Sequence, residues 1–268
     1  MKSIQLSIVI IFLGFSTITF AQFDERFYFP SKKIDSIKLV HTDYFIPVDT
    51  DTLHSVFFKT KNEPKGTILF FHGAGGNISR YMYMIEPLVK NGYHVFAVDF
   101  RGYGKSTGKP THINIASDVN VVFDEFKKIE AIKNTKLIVY GASMGCQIAT
   151  HFAKTYQKEI SGLILDGGFA SFTEVALLSA PKEQHAVIRQ YVTSPYSAIE
   201  DIKDIKEVSI LFIHSNEDEI PIQQAELVFN NAQESKAFLV YKGAHLEALK
   251  LETNKVIKAI DRLITTHP

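Results

Sequence analysis

The chain has 268 residues, 46% hydrophobic and 22% charged, with 29 basic and 29 acidic side chains and no formal net charge. That balance excludes disordered and fibrous classes, and without a Lys/Arg run there is no electrostatic footprint for nucleic acid. The length suits one α/β domain, and the single cysteine excludes an internal disulfide, so a large core must supply the stability.

The first residues differ from the rest. Met1-Lys2 is a short basic start, and residues 4–20 are nearly all apolar or small, without charge. Thr19 and Ala21 then place small residues at −3 and −1 before Gln22. This is the pattern of a secretory signal peptide cleaved after Ala21. Residues 1–21 are expected to be removed. Residues 22–268 are expected to be exported, periplasmic or secreted, as one domain without stable membrane insertion. An uncleaved N-terminal anchor is the alternative, although the apolar run is short for a span of ~20 residues.

Residues 22–36 form a polar-aromatic lead-in. Residues 39–46 and 52–59 read as strands flanking Pro47-Val48-Asp49, which predicts a hairpin. Then apolar runs of about five residues recur at 67–71, 94–98, 136–140, 161–165, 208–213 and 236–241, as expected of strands buried on both faces. Helical stretches alternate with them, at 79–91, 115–130, 144–157, 221–232 and 246–265. Alternation of this kind predicts a mostly parallel sheet covered by helices on both faces. Ligands then bind beyond the carboxyl ends of the strands.

Four of the loops at those ends carry chemistry. After 136–140 comes Gly141-Ala142-Ser143-Met144-Gly145, a G-x-S-x-G between a strand and a helix. The glycines permit a sharp turn that lifts the serine oxygen into the open at a helix N-terminus. After 67–71 comes His72-Gly73-Ala74-Gly75-Gly76-Asn77, whose glycines leave backbone amides free to face a ligand. A hydrolysis intermediate carries a negative oxygen that needs two such donors. Met144 would supply one and Ala74 the other, with Gly75 as second choice. His72 reads as structural and Asn77 as a helix cap. A serine nucleophile needs a base, and the base an orienting acid, in the chain order Ser, acid, His. The loop after 208–213 offers Glu217, Asp218 and Glu219, of which Asp218 is favoured. The loop after 236–241 offers His245. The other histidines, His214 and His94 among them, read as packing residues or fit no constellation. Cys146 reads as a small buried apolar residue. No cluster has metal-ligand spacing, so neither metal nor cofactor is expected.

The segments FFHGAGGN (70–77), VDFRGYGKSTG (98–108), YGASMG (140–145), LFIHSNEDEIP (211–221) and KGAHLE (242–247) together resemble the α/β-hydrolase superfamily. Within it they are most similar to the small-lidded branch, which includes serine-aminopeptidase-like hydrolases and α/β-hydrolase-domain enzymes that remove fatty acyl groups from proteins. The resemblance implies an α/β-hydrolase fold and makes Asp99 and Arg101 scaffold. Ser215 stands where the family usually has Gly, and Pro221 comes one residue early. The lid would be the short segment 169–200, where Phe169, Phe172, Val175, Leu177 and Leu178 are apolar.

The expected activity is hydrolysis of a carboxylic ester or thioester with an apolar acyl group, through an acyl-enzyme on Ser143. A serine peptidase on the same triad, a lyase using it, and a non-catalytic binding protein on the same scaffold are the competing readings.

Overall fold

The computed structural model of the chain describes residues 23–233 and 235–265. The expected signal sequence and its cleavage site lie outside them.

A two-residue strand β1 (Phe29–Pro30) is followed by an antiparallel hairpin, β2 (Thr42–Val48) and β3 (Asp51–Phe58). The apolar runs become β4 (Gly66–Phe71), β6 (Tyr93–Asp99), β7 (Leu137–Ala142), β8 (Gly162–Asp166), β9 (Ile210–Ser215) and β10 (Lys236–Tyr241). These six run parallel in a sheet ordered β10-β9-β8-β7-β4-β6-β3-β2, with the hairpin antiparallel at its end. A short β5 (Gly75–Gly76) pairs with β1 outside that sheet.

Alternation of side chains along each strand feeds two cores. Leu69, Phe71, Phe96, Val98 and Val139 face one side, covered by α2 (His112–Phe126), α3 (Gly145–Tyr156), α4 (Phe172–Ser179), α6 (Ala198–Asp201) and α7 (Gln223–Asn231). Ile68, Phe70, Val95, Ala97 and Ile138 face the other, covered by α1 (Met82–Lys90), α8 (Ala248–Leu251) and α9 (Thr253–Thr265). Helix α9 shows why it docks: Val256, Ile257, Ile260, Leu263 and Ile264 are buried at helical spacing. Each such side chain contributes about 1.5–3 kcal/mol on burial. The lid segment adds α5 (His185–Tyr191). Leu177, Ile188 and Val192 form a small cluster there with Phe23 and Phe27 of the lead-in.

Two expectations are corrected. The hairpin turn falls at Asp49-Thr50 rather than 47–49, with Asp49 in the left-handed region at φ 50°. Pro47 stays inside β2, opposite Thr52, because an edge strand tolerates the missing N–H. The helix expected over 246–265 is two helices. It breaks at Glu252 (φ −128°), where the Thr253 hydroxyl donates to the Leu249 carbonyl at 2.6 Å.

Candidate active site

Five parallel strands, β4, β7, β8, β9 and β10, present their carboxyl ends on one edge of the sheet. The loops singled out in the sequence leave four of them there.

Ser143 follows β7 directly, with φ 53°. A non-glycine residue rarely holds this conformation, at a cost of order 1–3 kcal/mol. The surroundings enforce it. The Ser143 amide donates to the Asp166 carbonyl at 2.7 Å, and the Cys146 amide donates to the Ser143 carbonyl at 2.9 Å. The flanking glycines are steric necessities. A Cβ at Gly145 would stand 2.1 Å from the Phe71 carbonyl oxygen, and one at Gly141 2.6 Å from that of Gly145. The turn opens into α3, so Ser143 lies at a helix N-terminus whose partial positive charge favours an anion.

Asp218 and His245 meet. The His245 Nδ1–Asp218 Oδ2 distance is 2.7 Å, with the Asp218 side chain fully buried and that of His245 20% exposed. Asp218 Oδ1 accepts from the Ile220 amide at 2.9 Å. Glu217 instead faces Lys242 at 3.4 Å, half-exposed, and Glu219 is exposed. Ser215, where the family usually has Gly, is useful here. Its hydroxyl donates to the Gly243 carbonyl and accepts from the Glu217 amide, tying the acid loop to the histidine loop. Burial pulls the His245 imidazole down. The Asp218 hydrogen bond and charge outweigh it, leaving its pKa above the ordinary value.

Ser143 and His245 share a neighbour. A Cβ on Gly167 would stand 2.8 Å from His245 Cε1, and Gly167 follows Asp166, whose carbonyl holds Ser143. The glycine loop reaches the same place: a Cβ on Gly73 would lie 3.1 Å from Ser143 Cβ.

The backbone of that loop is pinned at successive carbonyls. His72 Nδ1 lies 2.7 Å from the Gly73 oxygen, so this nitrogen carries the proton and donates. The Tyr103 hydroxyl donates to Ala74 O at 2.6 Å and the Tyr81 hydroxyl to Gly75 O at 3.1 Å. In a trans peptide the next N–H points opposite its carbonyl, so each contact fixes an amide direction. The Ala74 and Met144 amides donate no hydrogen bond among the described residues. Gly75, the second choice in the sequence, lies in β5, with nothing within 4 Å of a Cβ placed there.

The remaining motif residues are scaffold. Asp99 accepts from the Ile78 amide at 2.8 Å and faces His54 Nδ1 at 3.1 Å. Arg101 forms two bonds with Asp118, at 2.7 and 2.8 Å. Asn77 caps a 3-10 turn by accepting from the Ser79 amide. His214 faces the Ile220 carbonyl at 2.9 Å, and His94 accepts from the Thr60 amide. Among the described residues, no group of three or more His, Cys, Asp or Glu is placed to hold a metal ion. No helix among them is long and apolar enough to cross a membrane.

Reading the sequence missed Asp166, Tyr140 and Tyr81. Asp166 ends β8 fully buried, accepting from the Tyr140 hydroxyl at 2.6 Å. Burial, only partly offset by that bond, pushes its carboxyl up to about 7. A carboxylate closing an otherwise apolar strand was the available signal.

The family model described as "Serine aminopeptidase, S33" matches residues 62–196, half of the chain. The chain belongs to this family. This α/β-hydrolase is 30% identical over 189 residues to protein bem46 of Schizosaccharomyces pombe, covering 68% of the chain but only 62% of the yeast protein. It is 26% identical over 239 residues to protein YfhR of Escherichia coli, covering 83% of the chain and 80% of that protein. Among solved structures it superposes on the esterase Pf2001 of Pyrococcus furiosus with a TM-score of 0.69 at 18% identity, over 88% of this chain and 98% of that one. The hydrolase fold and family follow.

A groove of 880 Å³ lies elsewhere, between β10 and α9, and none of Ser143, Asp218 and His245 lines it. Its Lys236 bonds the Phe229 and Ala232 carbonyls and its Lys255 the Val240 carbonyl, so those charges hold the scaffold.

Proposed function

We propose that this hydrolase cleaves a carboxylic ester or thioester through an acyl-enzyme on Ser143. The observation that carries the reading is the buried Asp218–His245 contact of 2.7 Å, with His245 packed on the segment that holds the strained Ser143 turn. In the proposed cycle His245 Nε2 takes the Ser143 proton as the oxygen attacks the acyl carbonyl. The Ala74 and Met144 amides receive the oxyanion. His245 returns the proton to the leaving group, and water clears the acyl-enzyme by the same steps. Asp218 holds the tautomer with the proton on Nδ1 and stabilises the imidazolium. The acyl group is proposed to be apolar because the lid leaves Leu178 45% exposed and Val175 half-buried, whereas its Phe169, Phe172 and Leu177 are used in packing against the body of the protein. Export through residues 1–21 belongs to the same proposal.

The test is labelling of the folded protein with a fluorophosphonate and mapping of the modified peptide. Modification at Ser143, with turnover of p-nitrophenyl esters, supports the reading. A folded protein that neither labels nor turns over any acyl ester or thioester sinks it. The family description favours a second reading, a serine aminopeptidase on the same residues. Faster turnover of amino-acyl arylamides than of simple esters would select it.

The acid limb of the kcat/KM profile offers a further check. The base must be neutral, so activity is expected to fall as pH drops through the His245 pKa, above the ordinary ~6.5. Asp218→Asn removes the largest of the contributions that raise that pKa, leaving the weaker charges of Asp166 and Glu219 and the opposing burial, so the limb should move to lower pH by about one unit or more. A limb that stays in place would exclude Asp218 as its cause.

A further inference from the structure

The lead-in that the sequence left without a role lies against the glycine loop. Strand β1 pairs in parallel with β5, Phe29 opposite Gly75 and Pro30 opposite Gly76. The Phe29 amide donates to Ala74 O at 2.8 Å and the Ser31 amide to Gly76 O at 2.9 Å. Ala74 O thus accepts twice, since the Tyr103 hydroxyl also donates to it; that hydroxyl in turn accepts from the Phe29 amide at 3.1 Å. Tyr103 is fully buried. Farther along, Asn77 Nδ2 donates to the Ser31 and Lys33 carbonyls at 2.9 and 2.8 Å, and the Asp35 amide donates to the Ser79 hydroxyl at 2.9 Å. The bonds run from Phe29 to Asp35 on one side and from Ala74 to Ser79 on the other, outside the family match at 62–196 on the lead-in side.

We propose that Phe29–Lys33 and Tyr103 form a positioning strap that sets the peptide planes of the oxyanion loop. The inference rests on the serine-hydrolase reading above. A loop of this composition can rotate its peptides at little steric cost, and an amide turned away from the oxyanion contributes nothing to the barrier. Two donors on the Ala74 carbonyl hold the Ala74–Gly75 peptide in one orientation, and so fix the far side of Ala74, whose own N–H lies in the preceding peptide that His72 holds at the Gly73 carbonyl. The strap's Phe29 N–H supplies one of them and, by also donating to the Tyr103 hydroxyl, holds that second donor on the same carbonyl. These are positioning residues: neither Phe29 nor Tyr103 need touch the substrate.

The experiment compares kcat and KM for p-nitrophenyl acetate, well below the unfolding temperature, in the full chain and four variants. Phe29→Pro deletes the strap's donor. Phe29→Ala keeps that N–H and removes only a side chain that is 48% exposed. Tyr103→Phe removes the shared hydroxyl. Ser143→Ala reports on the underlying reading. The expected result is kcat lowered tenfold or more in Phe29→Pro and Tyr103→Phe, with KM within threefold of the parent and Phe29→Ala at the parent's kcat. If Tyr103→Phe melts earlier but keeps the parent's kcat, the strap is merely structural and the proposal is overturned. Should Phe29→Pro not fold, Tyr103→Phe decides alone. If Ser143→Ala leaves turnover intact, the serine reading fails and the strap with it. If Ser143→Ala is inactive while both strap variants match the parent, only the strap proposal fails.

Discussion

Ser143→Ala is expected to lower kcat for an acyl ester by about 10⁶-fold, and His245→Ala by about the same, with the double variant no slower than either. The non-additivity is the informative part. Without the base the serine is a weak nucleophile, and without the serine the base has nothing to activate, so each loss removes the same covalent step. Asp218→Asn should cost less, about 10⁴-fold, because it leaves the nucleophile and base in place but destroys the tautomer and charge balance. The fold should be unaffected by Ser143→Ala. The Ser143 hydroxyl has no hydrogen-bond partner in the described residues, and the turn is held by backbone bonds to Asp166 and Cys146. Steady-state turnover with circular dichroism on each variant checks this. A folded Ser143→Ala retaining a hundredth of the parent's kcat would remove Ser143 from the chemistry.

Gly145→Ala is expected to destabilise the protein by more than about 3 kcal/mol, beyond the range of ordinary overpacking. The added methyl would sit 2.1 Å from Phe71 O, 2.8 Å from Phe71 C and 2.8 Å from His72 O. All three are backbone atoms at the end of β4, an inner strand, so no side chain can swing aside. Either α3 lifts from the sheet or β4 shifts, and both carry parts of the site. Gly75→Ala is the control. With nothing within 4 Å of the new methyl and no positive φ at this residue, stability should stay within about 0.5 kcal/mol of the parent. Urea unfolding of the two variants side by side measures the contrast. Equal midpoints would show that the elbow tolerates a side chain.

Much of this architecture was legible because it is written in short-range patterns. Six apolar runs such as ILFF and LIVY can be satisfied only by strands covered on both faces, and the helical stretches between them supply the cover. G-x-S-x-G was readable because its glycines answer a local steric demand. The choice among Glu217, Asp218 and Glu219 was harder: all three lie in one loop, and only the path of the chain decides which carboxylate turns inward. What stayed hidden has no local signature. The role of residues 29–35 lies in their main-chain N–H and C=O groups, and the side chains say nothing about which distant loop those groups meet. Pro47 misled for the opposite reason, a strong turn-former placed on an edge strand where its missing donor does no harm. Asp166 was visible as a residue, but its environment arises only when β7, β8 and the histidine loop converge.

Cys146, 1% exposed, sits one turn below Ser143 with its thiol bonded to the Gly141 carbonyl at 3.2 Å and pushed by burial well above the usual thiol range. As the chain's one sulfhydryl, it gives the molecule an internal clock. A maleimide or disulfide reagent cannot reach it in the closed fold, so the rate of modification counts how often the packing around it opens, where α3 meets Phe169, Ala198, Ala225 and Val228. That rate reads the mechanical security of the packing beneath Ser143, without substrate and without any engineered label.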